Sequence, residues 1–196
     1  MSKTAGRLKT AKKMLDKIDH TSKLRTNIPA GLASPGPPLG SQLGQRNINI
    51  ANFVKDFNEK TAHIKEGIPL PCRVKLKPDR TYDLVIHQPP ATYFLKQAAG
   101  IQRGAMVSRD EVAGKITLKH LYEIAKIKKQ DRHMILVSLE QLTQMLVGTA
   151  KTCGIQIVRD LDPDEYAEFL KEREIIVAEQ KKALQEAKEA KMLRTA

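Results

Sequence analysis

A chain of 196 residues with 41% hydrophobic content can bury a core, as one domain or two small ones. Its 34 Lys and Arg against 22 Asp and Glu leave a net charge of +12, which favours an anionic partner, nucleic acid first, although solubility alone fits the same balance. Aromatics at 4% without Trp argue against a base-stacking platform, and Cys72 and Cys153 match neither a zinc spacing nor a disulfide framework.

Residues 1–15 carry Lys3, Arg7, Lys9, Lys12 and Lys13, with no acid among them. Small and hydroxyl residues fill the gaps. That composition fits an organellar targeting segment and, equally, a basic arm that touches RNA. Residues 1–26 hold eight Lys and Arg against Asp16 and Asp19, whereas residues 161–196 hold seven against nine acids. The positive field therefore belongs to the arm and the body rather than to the tail. No apolar run has the length of a membrane span, and no secretory signal is visible.

Leu24–Ile28 reads as a short strand. The stretch AGLASPGPPLGSQLGQRNIN, from Ala30 to Asn49, follows. It packs Pro35, Pro37 and Pro38 among Gly31, Gly36, Gly40 and Gly44. Proline fixes φ and glycine opens backbone shapes closed to other residues, so the path of this segment is set by the backbone more than by side-chain packing. Such a surface meets a flat partner without a deep pocket.

A helix is predicted from Asn49 to Thr61, because Ile50, Phe53, Val54 and Phe57 recur at i, i+3, i+4 and i+7. Asn49 suits the N-cap. A hairpin follows: Cys72, Val74 and Leu76 alternate with basic residues, Pro78-Asp79-Arg80 turns the chain, and Tyr82, Leu84 and Ile86 alternate again. This first unit, residues 21–88, reads as α+β. Gln88-Pro89-Pro90 then makes a stiff, short linker on which two units can reorient as bodies.

The second unit, residues 89–160, reads as all-α with three helices. Ala91–Ala99 ends at Gly100, a residue suited to the C′ position. A polar loop runs from Ile101 to Gly114 and holds Arg103, Gly104 and Arg109. Thr117 caps LKHLYEIAKIKKQD, with Leu118, Leu121, Tyr122 and Ala125 facing inward. Ser138 and Gln141 form a capping box for LEQLTQMLVGTAKTC, whose buried face is Leu142, Met145, Leu146 and Cys153. Gly154 ends that helix and Ile155–Val158 is an extended exit.

Asp162-Pro163-Asp164-Glu165 starts a last helix, with a cap, a proline in the first turn and acids at the positive end of the dipole. It runs to about Leu193, docked at its start and free or coiled at its end. Residues 161–196 are thus a helical extension, and residues 1–20 a basic arm.

Catalytic signatures are missing from the pattern. There is no G-x-x-x-x-G-K-[ST], no G-x-G-x-x-G after a strand and no H-E-x-x-H. His20, His63, His87, His120 and His133 are scattered without ligand spacing. No enzyme, no cofactor and no metal are expected. The helical unit is the better candidate for recognition, since its packing resembles a helix-turn-helix. Its basic residues are Lys115, Lys119, Lys126, Lys128, Lys129 and Lys151, which fit a solvated face equally well. In Gly148-Thr149-Ala150-Lys151-Thr152, two small residues would let a phosphate ridge approach, the threonines offer hydroxyl donors, and Lys151 offers charge. A small-residue helix contact inside the protein explains the same segment.

Four blocks in this order, PGPPLGSQLGQ with NIANFVKDFNEKTA, PPATYFLKQAAGI, GKITLKHLYEIAKIK and LVGTAKTCGI, resemble the large-subunit ribosomal protein eleven family over roughly Ile28 to Asp160. The hairpin, the basic arm and the long last helix resemble its mitochondrial branch. The resemblance implies a C-terminal domain that clamps a compact fold of large-subunit rRNA at the GTPase-associated centre, and a mobile proline-bearing domain that faces GTP-hydrolysing translation factors. Carried over, the rRNA-facing residues are Gly114, Lys115, Thr117 and Lys119, with Gly148, Thr149, Lys151 and Thr152. Pro35, Pro37, Pro38 and Gly40 would line a factor-facing cleft, where thiazole antibiotics bind in bacterial relatives. Ser41 stands where many relatives have Pro, so antibiotic sensitivity is not carried over. Stalk-base proteins and translational GTPases are the implied protein partners, with no membrane and no small-molecule substrate, and the location implied is the mitochondrial matrix, on the ribosome.

Two other functions compete. A DNA-binding regulator would need base-reading side chains, and the 138–153 helix offers Gln141, Gln144, Thr and Lys but no Arg. A helical scaffold would use residues 163–193 as a partner helix.

Overall fold

Alternating apolar residues build the first sheet. In the computed structural model, which describes residues 23–77, 81–108 and 110–195 (of 193–195 the backbone alone), β1 (Leu24–Pro29), β2 (Pro69–Leu76) and β3 (Tyr82–Ile86) form an antiparallel meander in that order. Leu24 lies opposite Val74, and Val74 opposite Leu84, so one face of the pleat is apolar throughout. The basic arm, the Pro78-Asp79-Arg80 turn and Arg109 lie outside the described residues.

The Pro/Gly segment holds a short helix that its composition does not announce, α1 (Leu39–Gly44), with Pro38 at its N-cap. Proline is tolerated there because the missing N–H would have had no helical partner. The helix α2 (Ile50–Thr61) begins where the Asn49 side chain accepts from the Asn52 N–H at 3.3 Å. It packs Phe53 and Phe57 on the sheet, both fully buried, their rings stacked at 6.4 Å. Burial of two such side chains contributes about 2–3 kcal/mol each. Cys72 lies in the same core, and burial pushes its thiol up to about 12, so it is inert at neutral pH.

The chain divides into two units between Pro89 and Pro90. In the second, α3 (Ala91–Ala98), α4 (Leu118–Lys129) and α5 (Leu139–Cys153) enclose Leu95, Leu121, Ala125, Leu142, Leu146 and Ala150. The unit is not purely helical. β4 (Gly114–Thr117) and β5 (Ile155–Val158) form a two-stranded parallel ladder that buries Ile116 and Ile155. The extended exit at Ile155–Val158 is therefore a paired strand.

The inward face of α4 differs from the sequence expectation. Leu121, Ile124, Ala125 and Lys128 are buried, whereas Leu118 and Tyr122 are exposed. Lys128 can occupy the buried stripe because its ammonium pairs with the buried Asp131 carboxylate. It is not part of a solvated basic face. Met145 of α5 is also exposed, leaving Leu142 and Leu146 as that helix's anchors. Ser138 and Gln141 exchange the two hydrogen bonds of a capping box, each 3.2 Å. Gly154, at φ +72°, closes α5 in the left-handed region.

A long helix, α6 (Pro163–Thr195), completes the chain. Among the described residues no helix is long and apolar enough to cross a membrane.

Candidate nucleic-acid interface

The last turns of α5 present a face with little bulk. Gly148 is exposed, and a Cβ built on it would meet no atom of the described residues within 4 Å. Nothing among the described residues requires glycine there, and glycine in a helix interior costs about 1 kcal/mol against alanine. Ala150, by contrast, is fully buried and packs in the core. The internal small-residue contact thus accounts for Ala150 and leaves Gly148 facing outward.

Lys151 and Thr152 follow this bare stretch and are exposed; among the described residues Lys151 makes no ion pair. The threonine hydroxyls are already committed as donors. Thr149 Oγ1 donates to the Met145 carbonyl at 3.0 Å, and Thr152 Oγ1 to the Thr149 carbonyl at 2.7 Å. Their oxygens remain as acceptors, a change from the donor role that the sequence offers.

The loop between α3 and β4 comes to this face. Ala105 N–H donates to the Cys153 carbonyl at 2.9 Å, and Ala113 N–H to the Gly154 carbonyl at 2.7 Å. Gly104 and Gly154 permit the approach, since a Cβ would lie 2.9 Å from the Cys153 oxygen at the first and 2.4 Å from the Ala105 Cβ at the second. The result is an open concavity of about 480 Å³, with Ser108, Glu111 and Val112 on the loop side and Gly148, Lys151 and Thr152 on the α5 side.

Glu111 carries the strongest electrostatic perturbation in this region. Burial pushes its carboxyl up, but hydrogen bonds from Arg173, Gln180 and the Met106 N–H outweigh it and hold the group at about 2. The Met106 N–H donates to Oε2 at 2.6 Å, while Oε1 accepts from Gln180 at 2.6 Å and pairs with the Arg173 guanidinium.

The other rRNA-facing expectations lie apart from the concavity. Gly114 is buried, and a Cβ there would sit 3.0 Å from Ala99 and 3.2 Å from the Tyr166 hydroxyl. Lys115 donates its N–H to that hydroxyl at 3.2 Å, and its ammonium lies 5.0 Å from the Phe169 ring centroid. Thr117 caps α4, its N–H donating to His120 Nδ1 at 3.2 Å, and Lys119 is exposed on the first turn. The two clusters therefore have different surroundings: Gly148 to Thr152 form an open face, whereas Gly114 and Lys115 sit beneath the start of α6.

In the first unit Pro35, Pro37 and Pro38 are exposed and Gly40 is buried. Ala33, just before them, exchanges two hydrogen bonds with the Asn58 side chain, and Gly31 N–H donates to Thr61 Oγ1 at 3.1 Å. The proline face is thereby tied to α2.

Sequence composition left Glu111, Arg173, Gln180 and Tyr166 out of the site. Nothing local marks them, because each acts on a residue more than 50 positions away.

Residues 24–82 match the family model described as ribosomal protein L11, N-terminal domain, and residues 87–157 match ribosomal protein L11, RNA binding domain. The chain is 63% identical over 195 residues to the large ribosomal subunit protein uL11m of Drosophila melanogaster, covering 100% of both chains. It is 55% identical over 195 residues to uL11m of Caenorhabditis elegans, covering 99% of this chain and 98% of that one. With uL11 of the bacterium Ruegeria pomeroyi the identity is 41% over 134 residues, 68% of this chain and 94% of that protein. A helical unit with an open, basic helix face, following an α+β unit with an exposed proline segment, fits both matched domains in their order, and the chain belongs to the ribosomal protein L11 family.

Proposed function

We propose that this protein is a structural component of the mitochondrial large ribosomal subunit and that its helical unit binds large-subunit rRNA at the GTPase-associated centre. The observation that carries this reading is identity of 63% along the whole chain with a uL11m, joined to the RNA binding domain match over residues 87–157. The protein acts by binding and not by catalysis.

The contact surface in this reading is the Gly148, Thr149, Lys151 and Thr152 face with the loop that borders it. Lys119 extends the charge along α4, and Gly114, Lys115 and Thr117 support the loop's exit from below. Folded RNA is recognised by shape and by phosphate and 2′-OH contacts, so a bare helix backbone beside a free ammonium suits it without stacking aromatics. Pro35, Pro37, Pro38 and Gly40 form the surface offered to translational GTPases, with stalk-base proteins as neighbours. The exposed proline segment held to α2 supports that assignment.

The test is titration of the full chain and of Lys151→Ala against a transcript of the GTPase-associated rRNA segment at several salt concentrations. Loss of one phosphate contact weakens binding and lowers the salt slope by about one unit. Unchanged affinity and slope would remove Lys151 from the contact. Tighter binding of duplex DNA than of the transcript would favour the regulator reading, which the lack of Arg on α5 disfavours.

A further inference from the structure

The family's RNA binding domain match ends at residue 157, and the alignment with the bacterial relative covers 68% of this chain, yet α6 reaches back into the loop that borders the proposed RNA face. Tyr166 begins the attachment by donating to the Ala99 carbonyl at 2.6 Å. Farther along, Ile101, Gln102 and Arg103 of the loop face Leu170, Arg173 and Val177 of α6 across a groove of about 340 Å³. The Glu111 carboxylate closes the attachment: one oxygen holds the Met106 N–H across the loop, and the other takes Arg173 and Gln180 from the helix.

This clasp is poorly built for stability alone. Arg173 is 5% exposed, and among the described residues its Nε and Nη2 have no hydrogen-bond partner, nor does the Gln180 Oε1. A buried guanidinium that satisfies only part of its donors contributes little net stability, because desolvation offsets the pairing. What it does fix is position. A loop without regular structure loses about 1–2 kcal/mol per residue when it is ordered on binding, and ordering it beforehand removes that cost from the binding step.

We propose that α6 is a strap that pre-orders the 101–108 and 110–113 stretches of the loop for RNA, with Arg173 and Gln180 as positioning residues that act through Glu111. The inference rests on the RNA-binding reading above. Arg173 touches no phosphate in this scheme, since its guanidinium is buried against the loop.

Full-length Arg173→Ala and Arg173→Lys are compared with the unchanged chain by amide hydrogen exchange and by titration with the same rRNA transcript. In Arg173→Ala the Ala105, Met106 and Ala113 amides exchange at least about tenfold faster, the α4 and α5 core keeps its protection, and RNA affinity drops about tenfold. The salt slope does not change, and Arg173→Lys restores part of both effects. Unaltered loop exchange overturns the proposal, as does an affinity loss accompanied by a slope lower by about one, which marks a direct phosphate contact. If Arg173→Ala loses core protection, Gln180→Ala makes the same comparison. Failure of the unchanged chain to bind the transcript defeats the RNA reading instead, and loop exchange then decides by itself whether α6 orders the loop.

Discussion

Asn58 and Ala33 are bound twice: the Ala33 N–H donates to Asn58 Oδ1 at 3.1 Å, and Asn58 Nδ2 donates to the Ala33 carbonyl at 3.4 Å. One side-chain amide on α2 thus substitutes for a strand partner and fixes the start of the proline segment. Asn58→Ala removes both bonds and leaves a partly buried backbone pair to find water, at about 1–2 kcal/mol. Asn58→Asp keeps the acceptor and loses the donor, so it sits between the two. Urea unfolding of the three chains gives the order directly, and equal midpoints would mean that the segment is held by packing alone.

Gly40 marks the other end of that segment. A Cβ at this position would lie 2.1 Å from the Pro35 carbonyl oxygen, and a backbone oxygen cannot swing aside. Gly40→Ala must therefore shift the turn into α1, at a cost of about 3 kcal/mol, in spite of alanine's better helix propensity. Thermal unfolding checks the sign; a stabilised Gly40→Ala chain would show that the turn relaxes freely.

These two contacts show what can be read from sequence and what cannot. Caps and closers follow from local chemistry, so Asn49, the Ser138–Gln141 box and Gly154 were readable, as was the period of two in β2 and β3. The α4 stripe departs from the expected Leu118, Leu121, Tyr122 and Ala125 because its fourth member is Lys128, a charge that is buried only where Asp131 meets it. The β4–β5 ladder joins segments about 40 residues apart through four-residue strands, too short for a period to register. At the candidate interface, Gly148 and Lys151 were legible as a small and basic face, whereas Glu111 gained its meaning from Arg173, 62 positions away.

Acid should loosen the strap. Glu111 is held at about 2 in the folded chain against an ordinary value of 4.5. A depressed carboxyl contributes its stability above the unfolded value and loses it as pH falls through the folded one. The contribution is therefore complete above about pH 4.5 and drains toward pH 2. Screening at this partly solvated site reduces it to about 1 kcal/mol. The stability difference between the unchanged chain and Glu111→Gln, measured by urea unfolding across this range, shrinks with acid. A difference that stays constant from neutral pH down to about pH 2 would contradict the ion pair's role.

Gly148 separates an RNA face from a merely exposed helix. Its Cβ position is open, so Gly148→Ala meets no steric resistance inside the protein and gains helix propensity. The substitution should raise stability by up to about 1 kcal/mol. If an RNA ridge packs on the bare backbone, the same methyl group intrudes on it, and affinity for the rRNA transcript falls roughly tenfold, about 1.4 kcal/mol. Opposite signs in the two measurements identify a residue kept small for a partner and not for the fold. A chain that gains stability and loses no affinity would leave the face solvent-exposed in the complex, and the contact would then have to lie on the α4 side, around Lys119.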